Sequence, residues 1–99
     1  MSFVVDEPQG SITLTPSALA GLVTSAAETV VGAHVRRGRR RLDVDLGEGT
    51  ARVRLELTAR YGVVLPELAR NVQEQVADAL ATMCLVEVEA VDVSVEEIE

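Results

Sequence analysis

Four groups of residues in this chain have side chains that can do chemistry. They are the single His34, the single Cys84, the pair Asp43 and Asp45, and the run Arg36-Arg37-Gly38-Arg39-Arg40-Arg41. A Ser–His–acid or Cys–His arrangement has to use His34, which stands beside a run of cations. Cys84 follows a helical stretch, and a helix C-terminus opposes the thiolate that nucleophilic work requires. The plainer assignments are a surface histidine and a packed cysteine. One His and one Cys also fall short of the several His or Cys ligands of common zinc sites. No GxGxxG, Walker or HExxH pattern is present, so the sequence names no cofactor, no metal and no small-molecule substrate.

The arginine run, Arg36, Arg37, Arg39, Arg40 and Arg41, is the candidate binding feature. It puts five positive charges into six residues, whereas the rest of the chain carries four Arg against sixteen acids. From Glu87 to Glu99 there are six acids and no base. Three readings of the run stand side by side. It is a solvated hairpin tip that offsets an acidic body, a contact for another protein, or a phosphate or RNA contact made by arginine forks. The RNA reading draws on a superficial similarity to KH domains, but those need a GxxG loop that neither Gly38 nor Gly47 and Gly49 supplies. A basic pole and an acidic pole on one body favour head-to-tail contact, so a homo-oligomer is expected.

The 99 residues and 10.6 kDa suffice for one domain. Hydrophobic residues at 47% and charged residues at 25% mark a globular chain. Only Phe3 and Tyr61 are aromatic, so the core has to come from Val, Leu and Ala, and stacking platforms for single-stranded nucleic acid are disfavoured. The start lacks the basic region of a signal peptide, and the longest near-apolar run, Ala18 to Ala27, is too short to cross a bilayer. The expected compartment is the cytoplasm.

Met1 to Gln9 reads as a loose leader, with the domain proper at 10–99. Gly10 to Leu14 alternates as a short strand, then Thr15 and Pro16 suit the N-cap and first turn of a helix. Leu19, Leu22, Val23, Ala26 and Val30 share one face of that helix. Ala33 to Arg37 reads as a brief strand turning at Gly38. Leu42, Val44 and Leu46 alternate with Asp43 and Asp45, and Val53, Leu55 and Leu57 with Arg52, Arg54 and Glu56. Pairing Leu42 with Leu55 sets every apolar residue on one face and opposes Asp43 to Arg54, Asp45 to Arg52 and Arg41 to Glu56. A second helix runs from Pro66 with a stripe of Leu65, Leu68, Ala69, Val72, Val76, Ala79, Leu80 and Met83. In the last strand the valine phase changes, which calls for a bulge near Glu89-Ala90. The order is β-α-β-β-β-α-β, an α+β domain with one mostly antiparallel sheet and two helices on one face.

The stretch Tyr61-Gly62-Val63-Val64-Leu65-Pro66-Glu67-Leu68-Ala69-Arg70-Asn71-Val72-Gln73 resembles the signature of the bacterial alkaline shock protein family, the envelope stress response proteins. Met83-Cys84-Leu85, Val91 to Val95 and Gly10 to Pro16 extend the resemblance over nearly the whole chain. Members commonly have Gly where this chain has Cys84, which would strain a left-handed helix cap. The resemblance implies a non-enzymatic cytoplasmic protein of cell-envelope homeostasis. It further implies self-association and a membrane-spanning protein partner that holds the chain at the membrane.

Overall fold

In the computed structural model, which describes residues 3–37 and 41–99, the elements follow the expected order with one strand added. Phe3–Glu7 (β1) pairs antiparallel with Gly10–Leu14 (β2), so a strand lies inside the segment read as a loose leader. Phe3-Val4-Val5-Asp6-Glu7 has no alternation of its own, and only the pairing Val5 with Ile12 and Phe3 with Leu14 gives it a register. These two strands form a sheet by themselves.

The helix Pro16–Glu28 (α1) starts as its sequence directs. Thr15 stands outside the helix in an extended conformation, and its hydroxyl accepts the Ala18 N–H at 3.1 Å. Pro16 occupies a first-turn position where no intrahelical donor is needed. Leu19, Val23 and Ala27 are buried, with Leu22, Ala26 and Val30 at the margin of the core. The helix ends at Thr29. Gly32 makes the turn into Ala33–Val35 (β3), with φ +93°.

Leu42–Leu46 (β4) and Thr50–Ala59 (β5) form the hairpin whose register the charges prescribe. Leu42 pairs with Leu55, Asp43 with Arg54, Val44 with Val53, Asp45 with Arg52 and Leu46 with Ala51. A slip of one residue would turn the buried Ala51, Val53, Leu55 and Leu57 outward, and that loss of burial holds the pairing in place. The helix Leu65–Cys84 (α2), about 30 Å at 1.5 Å per residue, then carries the chain back so that Glu87–Ile98 (β6) lies parallel to β5. Within a mostly antiparallel fold, this parallel pair follows from the long crossover.

The bulge falls where the valine phase requires it. Ala51 pairs with Val88 and Arg52 with Ala90, leaving Glu89 as the extra residue, and a second shift leaves out Glu96. Both helices pack on the face carrying Ala33, Val35, Ala51, Val53, Leu55, Leu57, Ala59 and Val91. On α2, Leu68, Val72, Val76, Leu80 and Cys84 are buried. Met83 was expected in that stripe and is 67% exposed, because the helix presents Cys84 to the sheet instead.

The left-handed residue after α2 is Leu85, with φ 56° and ψ 38°, and Cys84 keeps helical geometry. Cys84 is therefore free of the strain expected of it. Leu85 is 78% exposed and gains little packing to offset its conformation. Replacing it with Gly should raise stability by about 0.5–1 kcal/mol, after allowance for the looser unfolded chain. A urea midpoint that moves up checks this, and a midpoint that falls contradicts it.

A candidate protein-interaction surface on the sheet edges

The arginine run is placed by a break in one long edge. Strands β3 and β4 do not pair with each other as a hairpin. Both lie on the same edge of β5, end to end, with Val35 opposite Leu57 and Leu42 opposite Leu55. Arg36 and Arg41, the two ends of the run, therefore meet at one residue, Glu56. Both ends of the excursion are tied there: the Arg36 N–H donates to the Glu56 carbonyl at 2.9 Å, and the Glu56 N–H donates to the Arg41 carbonyl at 2.9 Å. The described ends of the expected hairpin tip are thus joined to one strand, β5, and not to each other across a β3–β4 hairpin. A sequence shows strand, turn and strand in either case, and only pairing with a third strand tells them apart. Gly38, Arg39 and Arg40 lie outside the described residues.

A carboxylate from the end of α1 braces the same place. Glu28 Oε2 accepts the Val35 N–H at 3.0 Å, and its Oε1 lies 3.8 Å from Arg37 Nη2. The Arg37 side chain is otherwise 78% exposed. One acidic group therefore caps the open edge of β3 and anchors the first part of the arginine run.

The opposite edge carries the other pole. Glu87, Glu89, Asp92, Glu96 and Glu97 lie on β6, with Glu99 just beyond. A helix side chain guards this edge too: Gln73 Nε2 donates to the Val91 carbonyl at 2.9 Å. Sequence reasoning placed Gln73 in the family signature without a task. Its spacing from a distant valine-rich strand is visible only in the fold. Bulges at Glu89 and Glu96, with repeated acids, further discourage backbone pairing there. The two edges of the large sheet thus present side-chain charge of opposite sign while their backbones are partly capped.

The remaining candidates are not brought together. His34 lies on the open sheet face, opposite Thr58, with its Nε2 3.8 Å from Glu99 Oε1. Cys84 is buried in the core on the helix side, so the sheet lies between them, and burial pushes its thiol pKa up. Burial, more than the helix end, opposes the thiolate. Asp43 and Asp45 line a shallow depression on the open face with Arg52, Arg54 and Asp92. Arg54 Nη1 also lies 3.6 Å from Glu56 Oε2. These acids sit among arginines, and among the described residues no three His, Cys, Asp or Glu side chains gather to hold a metal ion.

A model of the alkaline shock protein 23 family, described by its cell envelope-related function, matches residues 35–99. The chain belongs to this family. The matched span contains the arginine run, the β4–β5 hairpin, α2 with Gln73, and β6. No match is found among curated proteins. Among solved structures the chain is similar to forms of MamM CTD. The cadmium form of one variant is 21% identical, with a TM-score of 0.57, covering 84% of this chain and 96% of that one. The copper form of another variant is 20% identical, with a TM-score of 0.59, covering 86% of this chain and 100% of that one. At such identities the likeness establishes the fold, and the metals belong to those proteins. Among the described residues no helix is long and apolar enough to cross a membrane.

Proposed function

We propose that this alkaline shock family member is a non-enzymatic scaffold or adaptor. It works in the cytoplasm through side-chain charge on its sheet edges, and a membrane-spanning protein partner recruits it to the envelope. The observation that carries this reading is the arginine run whose ends, Arg36 and Arg41, are both tied to Glu56, with Arg37 beside Glu28. A dense positive group on a fixed support is suited to an acidic surface on a neighbouring protein, either a second copy or the anchor. Direct attachment to an anionic membrane fits less well, because the surface that attracts the run repels the rest of the chain. The RNA reading lacks support from the helix beside which a basic groove would run: Glu67, Glu74 and Asp78 line α2 against Arg70.

Reversing Arg39, Arg40 and Arg41 to Glu tests the assignment. The growth of assemblies at low salt and capture of a membrane protein by mild crosslinking in the native host should both be lost. The circular dichroism spectrum and unfolding midpoint should stay unchanged. If the variant assembles and crosslinks as the parent does, the arginine run is not the contact. RNA fragments in place of a membrane protein would replace the adaptor reading with the nucleic-acid one.

A further inference from the structure

The small sheet at the start of the chain is built unlike the large one. On the large sheet the outer edge of β3 is guarded by Glu28 on Val35, and that of β6 by Gln73 on Val91. Strand β2 has no such guard among the described residues. Its sequence Gly10-Ser11-Ile12-Thr13-Leu14 contains no charge and no proline, and the first four residues are exposed. Ile12 is 53% exposed and Val4 50%. A two-stranded hairpin is marginal in water, and a third strand or a packed face normally completes it. An uncharged open edge is also the kind that accepts another strand.

We infer that the outer edge of β2 is a homodimer interface, in which β2 of one copy pairs antiparallel with β2 of a second. The occupant follows from charge. A strand paired with itself about a two-fold axis sets each residue against its own kind of neighbour. For β6 that would oppose acids to acids, and for β4 it would oppose Asp43 and Asp45 to themselves. In β2 there is no charge to repel. Centring the axis on Ile12 places Ile12 against Ile12 and Ser11 against Thr13, a favourable hydroxyl pair. The result is a four-stranded sheet with β1 on each flank. Phe3, Val5, Ile12 and Leu14 of both copies then fall at register positions of one face. This rests on the self-association proposed above and adds to its charge contact a second, uncharged surface, separate from the arginine run.

The test is sedimentation of the full chain at about 0.5 M salt, where the screening length falls to roughly 4 Å and charge contacts fade. The parent and the Arg39, Arg40, Arg41→Glu variant should both sediment at twice the 10.6 kDa chain mass. Ile12→Lys and Ile12→Glu should each be monomeric with an unchanged dichroism spectrum, and at about 0.1 M salt, where the screening length is roughly 10 Å, an equimolar mixture of the two should regain the dimer. Ile12→Cys should form a covalent dimer on mild oxidation, since the native Cys84 is buried. A monomeric parent, a single Ile12 variant that stays dimeric, or a mixture that stays monomeric would overturn the assignment. Loss of the dimer in the arginine variant would do so as well, by placing all self-association on the charge contact.

Discussion

Leu57→Ala should lower stability by about 3 kcal/mol and the melting temperature by about 15 °C. Leu57 is 0% exposed on the central strand, between Val35 on one neighbour and Val95 on the other. Deleting its branched end leaves a cavity walled by three strands and the helices above them. The surroundings cannot close it, because Leu55, Val53, Val72 and Val76 are themselves fully packed. With two aromatics in the whole chain, the core has no large ring that can swing into the gap. For a domain whose total stability is of the order of 5–15 kcal/mol, this is a large fraction. Chemical denaturation of both proteins checks it. A loss below about 1 kcal/mol would mean that β5 is not the buried centre of the sheet.

Gly32→Ala should cost about 2 kcal/mol through two separable causes. The backbone there has φ +93°, which a side chain tolerates poorly, and an added Cβ would stand 3.0 Å from Val63 Cγ1. The Gly32 carbonyl also accepts the Arg60 N–H at 2.8 Å, so the turn cannot relax without loosening the end of β5. In a Val63→Ala background the close approach disappears and the conformational cost remains. The substitution should then cost measurably less, and a double-mutant cycle measures the difference. Equal costs in both backgrounds would assign the whole effect to the backbone. A cost near zero would contradict the turn geometry itself.

Local patterns and nonlocal pairings divided what the sequence disclosed. The β4–β5 register was legible because alternating valines and leucines agree with alternating Asp and Arg, and only one alignment satisfies both. The bulge at Glu89 was legible because Val88 and Val91 cannot share a face without an extra residue. The direction of β6 was not legible, since a strand's alternation is the same in parallel and antiparallel pairs. Strand β1 went unseen because its five residues do not alternate and take their register from β2. The exchange of Met83 for Cys84 in the core reflects a helix face whose edge is set by the strands beneath it. For the candidate surface, the arginine run was plain as a charge cluster. That its ends, Arg36 and Arg41, meet at Glu56 depended on strands β3 and β4 sharing one neighbour. Glu28 and Gln73, the two edge caps, carried no local signal at all.

The account rests on attraction between the arginine run and the acidic surface of a neighbouring protein. Sedimentation velocity of the unmodified chain, at one high protein concentration and two salt concentrations, tests that most directly. At about 0.01 M salt, where charges act over roughly 30 Å, the protein should sediment as assemblies larger than those at about 0.5 M, where the range is near 4 Å. The same mass at both salt concentrations would contradict the claim.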